Sequence, residues 1–62
     1  MKREEILRKL KEAGMTLVEG GRHTLVYDKD GHYLGPVGRH KEIDDIIVRQ
    51  IEKQTGVKLL RK

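Results

Sequence analysis

The chain has 62 residues, of which 39% are charged, with a formal net charge of +4 and no cysteine. This length predicts one domain over residues 1–62, because it is too short for two hydrophobic cores. No disulfide can form, and three histidines without a thiolate make a poor zinc set, so neither a metal nor a cofactor is predicted. No segment suits a membrane helix or a secretory signal, which predicts a cytoplasmic protein that does not bind membranes.

Positive charge is concentrated in the two end segments. Residues 2–12 hold five bases against three acids, and residues 39–62 hold seven bases against four acids. A basic balance favours partners that carry phosphates or acidic surfaces.

Residues 3–13 have the apolar spacing of an amphipathic helix, with Ile6, Leu10 and Ala13 on one face. Gly14 follows as a glycine able to end that helix in the left-handed conformation. Residues 15–19, "MTLVE", are prone to form a short strand.

Two turns divide the middle of the chain. Gly20-Gly21 is a hairpin signal, and residues 22–28, "RHTLVYD", form the best strand candidate. Asp30-Gly31 predicts a second hairpin, which leads into a third strand over residues 32–37. This strand contains Gly35 and Pro36, so we expect it to lie at a sheet edge or to carry a bulge.

Residues 44–54 predict a second helix, with Asp44 as its N-cap. Ile47 and Ile51 are expected on its core face, with Val48 and Ile46 beside them. Two further apolar contacts are expected: Ile43 stapled to Val48, and Val57 folded back after the terminating Gly56. Leu59 and Leu60 are left with two alternatives, packing on the sheet edge or meeting a partner chain.

The predicted order is α-β-β-β-α, an α+β two-layer sandwich with two helices on one face of a three-stranded antiparallel sheet. The other sheet face stays exposed and offers a partner surface.

His23 is the main candidate for chemistry. Strand alternation places it on one face with Leu25 and Tyr27. Histidine serves as an acid or base near neutral pH, Arg22 can donate two hydrogen bonds to a phosphate, and the adjacent glycines allow a nucleic-acid backbone to approach. The alternative is a surface histidine at the end of a strand.

Arg39, His40 and Lys41 form a second candidate, a cationic cluster before the second helix that could bind an anion. The alternative is a solvated loop. His32 is expected at the surface, and Asp28 and Asp30 are expected to form a turn rather than a metal site.

RNA cleavage is a reaction that these groups can support without a metal. RNA supplies its own nucleophile, the 2′-hydroxyl, so an enzyme needs a base, an acid and a cation near the phosphate. Nucleophilic triads are excluded because the chain has neither serine nor cysteine.

Over nearly its whole length, the chain resembles the HicA family of small mRNA interferase toxins from type II toxin–antitoxin pairs. The resemblance rests on five segments in order: "KEAG", "MTLVE", "GGRHTLVY", "GRHKEID" and "VRQIEKQTGV". It implies a fold like that of double-stranded-RNA-binding domains, with His23 as the catalytic histidine and Gly21 as its motif glycine. It also implies cleavage of mRNA and a larger HicB-type antitoxin as protein partner.

Three hypotheses follow. The preferred one is a metal-independent endoribonuclease toxin in which His23 is the acid/base group and in which Gly21, Arg22, Arg39, His40 and Lys41 contact RNA. The second is a non-catalytic RNA-binding module of the same fold, which needs bases but no acid/base residue. The third is a module that binds an acidic protein through its open sheet face, which is compatible with the first.

Overall fold

The computed structural model describes residues 1–60 of the chain. Its two helices and three strands follow the predicted α-β-β-β-α order. Their bounds are α1 Arg3–Glu12, β1 Thr16–Glu19, β2 His23–Tyr27, β3 Tyr33–Gly38 and α2 Asp45–Thr55. The predicted α+β class is therefore confirmed.

The three strands form one antiparallel sheet in the order β1-β2-β3. The prediction for β3 is confirmed on both counts, since it lies at an edge and its register with β2 shifts between Val26 and Tyr27. Gly35 lies beside this irregularity with φ 148, a conformation that side-chain-bearing residues rarely adopt. Pro36 pairs with Leu25, where an edge strand tolerates the missing N–H.

One hydrophobic core holds the helices against one face of the sheet. It consists of Ile6, Leu10, Val26, Val37, Ile43, Val48, Ile51 and Leu59. On β2, Thr24 and Val26 are buried in this layer, while His23, Leu25 and Tyr27 are more exposed. The predicted division of β2 between two faces is therefore confirmed, and His23 lies on the face opposite the helices.

The predicted helix faces need two corrections. In α2 the core residues are Val48 and Ile51, whereas Ile47 is 41% exposed. In α1 Ile6 and Leu10 are buried as expected, but Ala13 lies at the exposed C-cap. Asp44 occupies the N-cap position of α2, but its side chain makes no capping hydrogen bond. Ile43 and Val48 are both buried in the core, as the predicted staple requires.

The segment after α2 folds back onto the core. Gly56 ends the helix in the left-handed conformation with φ 77, and Leu59 is fully buried. The carboxylate of Glu52 accepts the N–H groups of Leu59 and Leu60 at 2.5 and 2.7 Å. These hydrogen bonds from Leu60 and Leu59 lower the pKa of Glu52. Leu59 therefore serves the fold of this chain.

Within residues 1–60, no helix has both the length and the apolar character needed to cross a bilayer.

Candidate functional site

His23 and His40 line the same groove, although they lie on different segments of the chain. The groove has a volume of about 540 Å³ and extends around the edge strand β3, from the open sheet face of His23 to helix α2. We call it the histidine groove. Its lining residues are His23, Pro36, Gly38, His40, Glu42, Ile43, Asp44, Ile47, Gln50, Ile51 and Gln54.

Gly38 lies at the junction of the two histidines. It is the direct cross-strand partner of His23 in the β2–β3 register. A Cβ atom at Gly38 would lie 3.8 Å from Cδ2 of His40, so the His40 ring lies beside the same glycine. Gly38 therefore adjoins both histidines, through strand pairing with His23 and through proximity to the ring of His40.

The hairpin before His23 differs from the one predicted. Glu19 pairs with Thr24, and the Gly20 N–H donates to the His23 carbonyl oxygen at 2.9 Å, so Gly21 and Arg22 form the tip. Neither Gly20 nor Gly21 has a positive φ. Position 20 instead requires glycine because there is no room for a side chain. A Cβ atom there would lie 2.8 Å from the His23 carbonyl oxygen.

Gly21 and Arg22 are exposed at this tip, and neither lines the histidine groove. A Cβ atom at Gly21 would have nothing within 4 Å. Gly21 therefore leaves the approach to the hairpin open, and Arg22 presents its guanidinium to solvent next to His23 in the chain.

The predicted cluster of Arg39, His40 and Lys41 is divided between two sides of its segment. His40 lines the histidine groove, whereas Arg39 and Lys41 line a separate pocket of about 240 Å³. We call this the cationic pocket. Its other lining residues are Lys2, Arg3 and Glu4 from the start of the chain.

A carboxylate-centred network holds the His23 hairpin against the rest of the fold. Glu19 Oε1 accepts hydrogen bonds from Thr24 Oγ1 at 3.1 Å and from Arg39 at 2.8 Å. Arg39 also donates to the Gly20 carbonyl oxygen at 2.6 Å. Arg3 donates to the Gly38 carbonyl oxygen at 2.9 Å and to Thr24 Oγ1. We call these contacts the Glu19 network.

The Glu19 network surrounds the backbone of His23 on three sides. Thr24 follows His23 in the chain, Gly38 is its cross-strand partner, and Gly20 donates to its carbonyl group. Thr24 is completely buried, so its hydroxyl contacts are shielded from water. The backbone around His23 is therefore held by contacts from α1, β1 and the segment after β3.

His32 lies at the other hairpin and lines neither the histidine groove nor the cationic pocket. Asp28 Oδ1 accepts the N–H groups of Asp30 at 2.8 Å and His32 at 2.9 Å. The hydrogen bond from the His32 backbone is the largest cause of the lowered pKa of Asp28. One ligand atom each from Asp28, Asp30 and His32 lies within 4.8 Å of the others, but these groups also form the predicted turn.

Several residues of this region were not among the sequence predictions. Arg3, Glu19 and Thr24 are far apart in the chain and carry no motif, although strand alternation did place Thr24 on the face opposite His23. Gln50 and Gln54 line the histidine groove because they are four residues apart on α2 and share a side of it.

Compared with known proteins, the chain matches no family model, and no curated protein or solved structure is similar enough to it to count as a relative.

Proposed function

We propose that the protein is a metal-independent endoribonuclease that cleaves mRNA, a toxin of the HicA type with a double-stranded-RNA-binding-domain-like fold. The observation that supports this most directly is the shared groove of His23 and His40. Two imidazoles from different parts of the chain can act as base and acid on opposite sides of one phosphate.

In the proposed reaction, His23 removes the proton of a ribose 2′-hydroxyl. The 2′-oxygen then forms a bond to the adjacent phosphorus, and the bond from phosphorus to the 5′-oxygen of the next nucleotide breaks. His40 donates a proton to that leaving oxygen. The products are a 2′,3′-cyclic phosphate and a free 5′-hydroxyl, so no water or redox partner is consumed.

Arg22 is the proposed cation for the phosphate at the reacting centre. It lies at the hairpin tip beside His23, is exposed, and belongs to no ion pair among residues 1–60. A guanidinium can donate two parallel hydrogen bonds to phosphate oxygens and stabilise the charge that develops there. Because Gly21 has no side chain, the RNA strand has room to approach the hairpin tip.

The proposed protein partner is a HicB-type antitoxin that covers the histidine groove. The groove has an apolar part formed by Pro36, Ile47 and Ile51 beside its polar groups. Ile47 is 41% exposed, an apolar surface that a bound protein chain would bury. A chain seated there would exclude RNA from His23.

The test is cleavage of an unstructured RNA by the purified protein in excess EDTA. We expect His23→Ala and His40→Ala each to lower the cleavage rate by about 10² to 10⁴-fold, the usual contribution of a positioned acid or base. His32→Ala is the matched control, because it removes an exposed histidine from the other hairpin and should leave the rate unchanged.

Cleavage that persists at the parental rate in folded His23→Ala would refute the proposed mechanism. Expression in cells provides a second measurement. The parent and the His32→Ala variant should arrest growth, whereas the His23→Ala variant should not.

A non-catalytic RNA-binding module is the second candidate, and the cationic pocket favours it, since this pocket contains no histidine among its described residues. Under this hypothesis His23→Ala leaves RNA binding intact, whereas removal of positive charges from the cationic pocket weakens it. The EDTA cleavage assay separates the two candidates directly.

A further inference from the structure

The cationic pocket lies on the opposite side of residues 39–41 from the histidine groove. Consecutive side chains of this segment alternate, so His40 reaches the groove while Arg39 and Lys41 reach the pocket. With a volume of about 240 Å³, the pocket is less than half the size of the 540 Å³ groove.

Backbone pairing with the start of the chain shapes this pocket. The Arg3 N–H donates to the Lys41 carbonyl oxygen at 2.9 Å, and the Ile43 N–H donates to the Met1 carbonyl oxygen at 2.8 Å. Lys2 and Glu42 form an antiparallel bridge between the same segments. The two segments of the chain that carry excess positive charge therefore meet here.

The four cations of the pocket are of two kinds. Arg3 and Arg39 are fixed in place by the Glu19 network. Lys2 and Lys41 are exposed, and neither takes part in an ion pair among residues 1–60. The only carboxylate among the described lining residues is that of Glu4.

We propose that this pocket binds a backbone phosphate of the RNA strand whose reacting phosphate lies in the histidine groove. The strand then crosses residues 39–41, with one phosphate on each side of the segment. This inference rests on the proposed function and extends it, because it names a second phosphate subsite and the path between the two.

The chemistry of the pocket suits a phosphate rather than a base. Phosphate oxygens are hydrogen-bond acceptors only, and all four basic side chains are donors only. The exposed ammonium groups of Lys2 and Lys41 supply charge that neutralises a phosphate, with release of counterions from the RNA. A contact of this kind is independent of base sequence.

The test measures the salt dependence of RNA binding in a His23→Ala background, in which cleavage does not interfere. The probe is an unstructured single-stranded RNA. The variant carries Lys2→Gln and Lys41→Gln together, which removes two charges but leaves the fixed guanidiniums intact. The control carries Lys29→Gln and Lys53→Gln, which removes two exposed charges outside the pocket.

The magnitude of the slope of log K against log salt should fall by about 0.7 in the pocket variant, since the pocket holds one phosphate and each phosphate neutralised on a single strand contributes about 0.7 to the slope. The control should change it by much less. Equal changes in both variants, no change in the pocket variant, or no RNA binding at all would each overturn the proposal.

Cleavage in EDTA is scored separately, in the His23-containing protein. If the protein cleaves RNA but the Lys2 and Lys41 variant changes the salt slope no more than the control does, the phosphate subsite is refuted and the nuclease proposal stands. A selective decrease of the slope in a protein that does not cleave RNA would instead support the phosphate subsite and refute the nuclease.

Discussion

The two hairpins of the sheet each place a histidine beside a turn, yet they are held in different ways. At the β2–β3 hairpin, Asp28 accepts the N–H groups of Asp30 and His32 within the same few residues. At the β1–β2 hairpin, the contacts that hold His23 come from remote parts of the chain. Glu19 binds Arg39, and Arg39 binds the Gly20 carbonyl oxygen.

This difference shows why two exposed histidines of one small protein are not equivalent. His32 belongs to a local turn, in which its backbone N–H and its ring both contact the carboxylate of Asp28. The backbone around His23 is held by contacts from α1, β1 and the segment after β3, and His23 lines a groove that His40 also lines. A backbone held in this way suits the acid/base role that we propose for His23.

Among the substitutions considered, Thr24→Val should have the largest effect, because it disrupts the Glu19 network that holds the β1–β2 hairpin. The substitution keeps the shape of a fully buried side chain but removes the hydroxyl that donates to Glu19 and accepts from Arg3. Without this buried hydroxyl, the charged groups of Glu19 and Arg3 each lose a hydrogen-bond partner. The free energy of unfolding should therefore fall by about 2 kcal/mol. Denaturant unfolding measures this change.

Thr16→Val is the matched control, because Thr16 lies at the exposed start of β1. It should change the free energy of unfolding by less than about 0.5 kcal/mol. The imidazole NMR signals of His23 should shift in Thr24→Val and stay in place in Thr16→Val, while those of His32 should be unchanged in both. Equal stability of the two variants would contradict a stabilising Glu19 network.

Glycine substitutions test the two turns separately, one in each hairpin. Gly20→Ala places a Cβ atom 2.8 Å from the backbone oxygen of His23, so the hairpin must open. We expect a loss of about 1 kcal/mol and displacement of His23. Gly31→Ala should cost a similar amount for another reason, since Gly31 has φ 89 and a side chain strains that conformation.

Gly21→Ala is the control for both substitutions, because a Cβ atom there meets nothing within 4 Å and φ is not positive. Its stability should match that of the parent. The proposed RNA cleavage should be slower in Gly20→Ala and unchanged in Gly31→Ala. If Gly21→Ala proved more destabilising than Gly20→Ala, the observed position of the hairpin tip would be wrong.

Local patterns in the sequence were sufficient to predict the elements. Period-2 alternation in β2 separated Thr24 and Val26 from His23, and Gly35-Pro36 predicted an irregular edge strand. The helical period also predicted both helices. It misplaced Ile47, because four apolar side chains occur in the six residues 46–51 and periodicity alone does not select which ones face the sheet.

The candidate site could be predicted only in part. Each of His23, Arg39, His40 and Lys41 is marked by its chemistry, but whether they share a site is decided by tertiary contacts. His40 lines the histidine groove, whereas Arg39 and Lys41 meet the start of the chain, which pairs with residues 41–43. Lys2 and Arg3 were counted only as part of a basic end segment, because no sequence pattern indicates that the start of the chain pairs with residues 41–43.

The pH dependence of stability should depend on the β2–β3 hairpin and not on the β1–β2 hairpin. Its effect should be smaller than that of the substitutions above. The pKa of Asp28 is lowered in the folded protein, chiefly by the hydrogen bond from the His32 backbone N–H. A carboxylate with a lowered pKa stabilises the fold above its unfolded pKa of about 3.9, and this contribution is lost as the pH falls through the folded pKa. The acid limb of the stability curve should therefore contain a contribution from Asp28.

Asp28→Asn keeps an oxygen acceptor for the turn and removes the titration. Relative to the parent, this variant should be less stable at a pH of about 6, and the difference should shrink as the pH falls below about 4. Asp30→Asn is the matched control at the same turn, since the Asp30 carboxylate accepts no backbone hydrogen bond within residues 1–60. The His23 NMR signals should be the same in both variants, because no described contact joins the Asp28 turn to the Glu19 network. A shift of His23 in Asp28→Asn alone would mean that the two hairpins are coupled through the sheet.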